Sequence, residues 1–125
     1  MILLALSLPP KELHPNSRVH WAAKARAVKA YRQQTGIMTL LWQHLHWKRV
    51  TVQATFYFKT SRRRDGDNLL ASLKPAFDGL VDAGVLVDDS GITHLPVTVK
   101  IDKENPRVEL RIKESPGAAI CIEEI

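Results

Sequence analysis

An α+β fold is what this sequence predicts: a small, mostly antiparallel sheet of about four strands packed with two main helices. Three observations carry that expectation. Residues 49–59 set Val50, Val52, Ala54, Phe56 and Phe58 in alternation with Thr51, Gln53, Thr55, Tyr57 and Lys59, the two-residue period of a strand with one buried face. Stretches 19–46 and 68–83 instead repeat their apolar residues at about 3.6, which is helical. The order strand, helix, strand, helix, strand, strand then suits one layer of helices on one sheet, and 125 residues suit a single domain. We place that domain at 1–114 and a C-terminal tail at 115–125.

Taken in order, residues 2–8 read as a short apolar strand, and Pro9–Asn16 as a loop, since Pro9, Pro10, Pro15 and Asn16 all oppose regular structure. From Val19 to His46 one stripe collects Ala23, Ala27, Ala30, Tyr31, Met38, Leu41, Trp42 and Leu45. Arg18, Arg26, Lys29 and Arg32 lie toward the other side, so the outer face is basic. Thr35-Gly36 leaves open one long helix or two stacked ones, because an interior glycine costs about 1 kcal/mol.

The strand at 49–59 runs straight into Arg62-Arg63-Arg64 and delivers the Asp65/Asp67 loop. A second helix from Asn68 to Ala83 turns Leu69, Leu70, Leu73, Phe77, Leu80 and Val81 inward, with Gly84 as its stop. Pro75 either kinks that helix or marks its true first turn. Val85–Val87 is a short extended piece before an Asp88-Asp89-Ser90-Gly91 turn. Two strands at 92–101 and 107–113, joined by the polar segment Asp102–Pro106, read as a hairpin. The tail carries only a Pro116-Gly117 turn and an apolar segment, Ala118–Ile122.

Composition excludes several functions. No apolar run approaches the roughly twenty residues of a membrane helix, and the apolar N-terminus lacks a charged leader and breaks at Pro9-Pro10, which makes it a poor secretory signal. A single cysteine, Cys121, forbids an internal disulfide and a cysteine-built zinc site, and fits a reducing compartment. His14, His20, His44, His46 and His94 form no ligand pair on a helix face, and no glycine-rich phosphate loop supports a nucleotide cofactor. Trp21, Trp42 and Trp47 suit base stacking by chemistry, but Trp42 sits on the apolar stripe and reads as core.

The net charge of +5 conceals an uneven distribution. Residues 1–64 hold twelve Lys/Arg and Glu12 as their one acid, whereas residues 65–125 hold six basic and twelve acidic groups. One surface therefore suits a polyanion while an acidic site lies elsewhere.

The chemistry concentrates in Arg62-Arg63-Arg64-Asp65-Gly66-Asp67-Asn68-Leu69 and, beyond a helix, Asp88-Asp89-Ser90-Gly91. Arginine binds phosphate. Clustered carboxylates repel one another by about 3 kcal/mol per pair at close range, and a divalent cation relieves that repulsion. Asp65 and Asp67 alternate so that both reach one ion, although helix capping is the competing use of such a pair. Asp89 completes the set, with Asp88 as the rival, and an exposed turn is the plain alternative for both. Lys74 either faces a phosphate or pairs with Asp78 four residues on.

From Arg62 to Ser90 the sequence resembles the RusA family of Holliday junction resolvases, commonly encoded by prophages and phages. The resemblance rests on Arg-Arg-Arg-Asp65-x-Asp67-Asn68-Leu69, then Lys74-x-Ala76-Phe77-Asp78-x-Leu80-x-x-Ala83-Gly84, then Asp88-Asp89. Leu8-Pro9-Pro10 and Asn16 before a basic helix resemble the family's amino-terminal loop. The final ten residues carry no resemblance. It implies a cytoplasmic homodimer that binds four-way DNA junctions and makes paired symmetric nicks in recombination and repair. The implied cofactor is Mg²⁺, with Mn²⁺ as the alternative ion, held by Asp65, Asp67 and Asp89, with Lys74 facing the phosphate. One departure stands out: the family's lysine follows the second aspartate by four residues, and Lys74 follows Asp67 by seven.

The function expected is therefore a metal-dependent junction endonuclease. Arg62, Arg63, Arg64, Arg18, Arg26, Lys29 and Arg32 hold the DNA backbone with little base readout. Its rivals are an inactive branched-DNA-binding protein and a flap or branched-DNA nuclease without preference for four arms.

Overall fold

The computed structural model describes residues 1–115. Its order is β1 (Ile2–Leu6), α1 (Trp21–Met38), β2 (Val50–Phe58), α2 (Gly66–Ala71), α3 (Lys74–Asp82), β3 (Ile92–His94), β4 (Thr98–Ile101) and β5 (Arg107–Glu114). One-turn 3-10 helices at Lys11–Leu13, Leu40–Trp42 and Asp89–Gly91 punctuate the connections.

The sheet runs β1-β5-β2-β3, with β4 also on β2, so the α+β expectation holds with five strands in place of four. The β1–β5 and β2–β5 ladders are antiparallel, and β2 pairs in parallel with β3 and β4. Register explains the core. Ile2, Ile112 and Val52 form one row across three strands, Leu4, Leu110 and Ala54 a second, Leu6, Val108 and Phe56 a third. All nine are at most 4% exposed, because the two-residue period sends each row to the same face, where the helices cover it.

Two sequence expectations for the C-terminal half are corrected. Residues 92–101 form two short strands, since Leu95-Pro96-Val97 interrupts them and proline cannot donate to a ladder. Gln53 spans the gap by donating to the carbonyl of Pro96 and to Thr98 Oγ1. The expected hairpin does not form either. The Asp102–Pro106 turn exists, with Asp102 Oδ1 accepting from the Glu104 and Asn105 N–H groups. It crosses the end of β2, however, where Asp102 N–H bonds the Phe58 carbonyl, and so puts β4 and β5 on opposite sides of β2. Packing decides this: Val108, Leu110 and Ile112 become fully buried only between β1 and β2, whereas all four residues of β4 are exposed and suit an edge.

The two helical stretches also resolve. α1 continues through Thr35 and Gly36 to Met38 as one helix, and the chain then tightens into the 3-10 turn. Its buried line is Tyr31, Thr35 and Thr39, so the predicted stripe is partly wrong: Ala30, Met38 and Leu41 face outward. Thr35 and Thr39 are tolerated inside because each hydroxyl donates to a carbonyl one turn back. Tyr31 donates to the Ser7 carbonyl at 2.7 Å and ties α1 to the end of β1, and burial pushes its phenol well up from the ordinary value.

The 68–83 stretch is two helices. Pro75 stands in the first turn of α3, where its missing N–H is not needed. At the other end Gly84 (φ 82°) donates to Val81 O and Val85 donates to Leu80 O, a Schellman stop sealed by the fully buried Leu80 and Val85. α1 and α3 cross at Gly79, where an added Cβ would lie 2.5 Å from the Arg32 carbonyl oxygen and 3.0 Å from Thr35 Cβ. That close crossing is what brings the Arg32 side chain onto α3.

Candidate functional site

β2 ends at Phe58, and the seven residues after it carry the arginine cluster to the start of α2. The three arginines separate there. Arg62 and Arg63 are exposed, while Arg64 lies over the Phe58 ring, its Cζ 3.6 Å from the centroid. Its Nη1 donates to the carbonyls of Thr60 and Arg62, and burial together with Arg62 lowers its pKa. Arg64 therefore orders the strand exit, and its two neighbours remain open to solvent. A cleft of about 530 Å³ gathers Arg62, Arg63, Arg64 and Asp65 against Pro9, Pro10, Lys11 and His14 of the amino-terminal loop.

Asp65 caps α2, with Oδ1 accepting the Asp67 N–H at 2.9 Å. Capping is thus real, but by Asp65 and not by Asp67. The Asp67 carboxylate, in the first turn, accepts no hydrogen bond and joins no ion pair among the described residues. It lines a small hollow with Leu70, Ala71, Lys74, Phe77 and His94. The i, i+7 separation leaves Asp67 and Lys74 on one side even though α2 ends between them.

Of the two options for Lys74, the pair with Asp78 is the one present, and a second carboxylate joins it: Nζ lies 2.7 Å from Asp78 Oδ1 and 2.5 Å from Asp89 Oδ2. The two carboxylates raise the lysine pKa, Asp78 first, and Lys74 in turn holds Asp89 below the usual carboxylate range. The Asp88–Gly91 turn can approach only because residue 91 lacks a side chain, since an added Cβ would collide with the Lys48 carbonyl oxygen. Asp88 turns away and accepts from Ser90 Oγ at 2.8 Å. Between Asp88 and Asp89, then, Asp89 is the one directed to Lys74.

The polar line continues to α1. Arg32 makes a two-pronged bond to Asp82, at 2.5 and 2.7 Å, and lies 4.0 Å from Asp78. Arg32 is therefore committed to α3, whereas Arg18, Arg26 and Lys29 are exposed. Sequence reasoning placed Arg32 with the free cations, named Asp78 only as a partner for Lys74, gave Asp82 no role and weighed His94 only as a zinc ligand; the i, i+4 spacing that pairs Lys74 with Asp78 continues to Asp82 and was the available signal. His94 packs on Phe77 with ring centroids 5.0 Å apart, and burial lowers its pKa.

Three aspartates offer the hard oxygen donors that Mg²⁺ takes. Asp67 is open to solvent, Asp65 keeps one oxygen free of its capping bond, and Asp89 is held by an ammonium that a cation can replace. As they stand, no group of three or more His, Cys, Asp or Glu among the described residues is close enough to hold a metal ion together.

Comparison with known proteins decides the family. The profile described as Endodeoxyribonuclease RusA matches residues 9–113. The chain belongs to the RusA family. This RusA-family chain is also 36% identical over 96 residues to an uncharacterized protein of Xylella fastidiosa (strain Temecula1 / ATCC 700964). That match covers 73% of the chain and 63% of the relative. The matched region contains both acidic pairs, Lys74 and strands β2, β3, β4 and β5 up to Lys113, and leaves β1 and the tail outside it. No helix among the described residues is long and apolar enough to cross a membrane.

Proposed function

We propose that this protein is an endodeoxyribonuclease that resolves four-way DNA junctions by paired symmetric nicks, acting as a homodimer in cytoplasmic recombination and repair. The observation that carries the reading, beyond family membership, is the Lys74 bridge to Asp89. It brings the second acidic pair to the lysine that shares a hollow with Asp67.

Asp65, Asp67 and Asp89 would hold Mg²⁺ or Mn²⁺. When bound, such an ion activates water and offsets charge building on the phosphate. The rest falls to the chain itself. Lys74, freed from Asp89, donates to a non-bridging oxygen of the scissile phosphate, with Asp78 keeping its ammonium in place. Arg62 and Arg63 take flanking phosphates at the mouth of the cleft, and Arg64 keeps that mouth in shape from its seat on Phe58. A four-way junction presents two equivalent strands, so one site per protomer requires two copies to nick both.

The test is cleavage of a synthetic four-way junction beside a linear duplex, a flap and a three-way fork, with Mg²⁺ and with chelator. Symmetric nicks confined to the four-way substrate and abolished by chelator support the proposal. Equal cutting of the flap or fork would replace it with a general branched-DNA nuclease, and binding without cutting in Mg²⁺ or Mn²⁺ with an inactive binder.

A further inference from the structure

Trp21 opens α1 and is 76% exposed, an unusual position for the side chain with the largest apolar surface. His20 caps the helix, its Nδ1 accepting the Ala22 N–H at 3.1 Å. The imidazole lies 5.5 Å from the indole at a 32° tilt, which gives the exposed ring a neighbour on one side and leaves its other face to solvent. A shallow groove follows along the helix, lined by Trp21, Lys24, Ala25, Val28, Lys29 and Arg32. Ala25 and Val28 are its aliphatic members, Gln33 also lines it, and its three charged residues are all cations.

The groove has a direction. Its far end is Arg32, which is bonded to Asp82 and lies 4.0 Å from Asp78, the partner of Lys74. From Trp21 to Arg32 the helix rises about 16 Å, close to the length of about five nucleotides at duplex spacing. A strand leaving the Lys74 region along α1 would thus meet Lys29 and Lys24 with its phosphates and reach Trp21 with a base. A protein partner needs no such row of cations beside an aromatic face, whereas a nucleic-acid strand uses both.

We infer that the Trp21–Arg32 groove binds one DNA strand leaving the branch point and that Trp21 stacks on an unpaired base there. The inference rests on the junction reading above and adds to it a subsite that senses unstacked bases. A duplex keeps its bases stacked and offers Trp21 nothing, so the indole favours branched over linear DNA, while Lys24 and Lys29 contribute to both.

The experiment measures binding in chelator of a four-way junction and a linear duplex, with 2-aminopurine beside the branch point, by the intact chain and by Trp21→Ala and Trp21→Phe. Trp21→Ala is expected to weaken junction binding by about fivefold to a hundredfold, the range for loss of one base stack, and to leave duplex binding within about twofold. Trp21→Phe should recover most of the loss. The 2-aminopurine signal should change with the intact chain and with Trp21→Phe but not with Trp21→Ala. Equal junction binding by Trp21→Ala overturns the inference, as does an equal loss on duplex. So does conversion of a dimer to a monomer by Trp21→Ala, which would make the groove a protein interface. If the intact chain itself fails to prefer the junction, the junction reading falls, a result distinct from all of these.

Discussion

The two acidic pairs look alike in sequence and are built in opposite ways. Asp65 and Asp67 sit at the start of α2 around Gly66, which has open space on every side where a Cβ would go. Asp65 satisfies the helix end and Asp67 is left to solvent. Asp88 and Asp89 sit in a turn whose Gly91 is pressed against the Lys48 backbone, and both of their side chains have partners, Ser90 and Lys74. The first pair is an open acceptor; the second is closed by a cation from the chain itself. The difference teaches that in this state Lys74 supplies the positive charge that Asp89 needs, and that joining the two pairs around a divalent ion means exchanging one cation for another.

Four sets of substitutions break or sharpen the contrast. The largest effect is expected from Asp67→Asn, which should abolish nicking while junction binding stays equal or tightens, since a ligand and a negative charge near phosphate are both lost. Its counterpart Asp88→Asn should nick within about threefold of the parent, the variation of an ordinary surface change. Single-turnover nicking with a parallel gel-shift titration reads both, and normal activity of Asp67→Asn would remove the open pair from the site.

Next comes Lys74→Ala, expected to slow nicking by on the order of a hundredfold, as for loss of one charge-stabilising donor. Because the lysine is largely exposed, melting should hardly change. A normal rate would leave Lys74 only its ion-pair role.

The glycines separate the pairs by stability. Gly91→Ala should cost about 2 kcal/mol or more, because a backbone carbonyl cannot give way like a side chain. Gly66→Ala should be neutral or stabilising by up to about 1 kcal/mol, since a helical residue with free space gains from a less flexible unfolded chain. Chemical denaturation reads the two, and equal costs would erase the packing difference.

The smallest effect concerns the arginines before the first pair. Arg62→Ala and Arg63→Ala should each flatten the slope of log K against log salt by about 0.9. Arg64→Ala should instead lower the melting temperature, because its guanidinium lies on Phe58 and bonds two carbonyls. Salt titrations of junction binding beside thermal melts separate these roles.

Much of this was legible in the sequence, and what was not has physical reasons. The alternation of 50–58 marked β2 and its buried face, Gly84 marked the end of α3 and Pro75 offered its first turn as one of two readings, and the Arg-Asp-Asp run marked the candidate site. The β4–β5 hairpin misled because a polar turn specifies a reversal of the chain and not which edge of β2 each strand will take; that depends on how completely Val108, Leu110 and Ile112 can be buried. The outward turn of Met38 and Leu41 escaped because Thr35 and Thr39 are polar by type yet satisfied by their own helix. At the site, composition showed which cations were present but not which were already engaged: Arg32 by Asp82, Arg64 by Phe58. Asp102 and Arg107 pair similarly beside the end of β2, at 2.9 Å. The expectations for Pro116-Gly117, Ala118–Ile122 and Cys121 fall outside the described residues.

The central claim is that the open pair and the closed pair meet around one divalent ion. Crystals soaked in Mn²⁺ and measured at its absorption edge test it most directly. The account predicts one anomalous peak touching Asp67 and Asp65, with Asp89 turned from Lys74 to join them. A peak away from these carboxylates, or Asp89 still bonded to Lys74 beside a fully loaded ion, would contradict it.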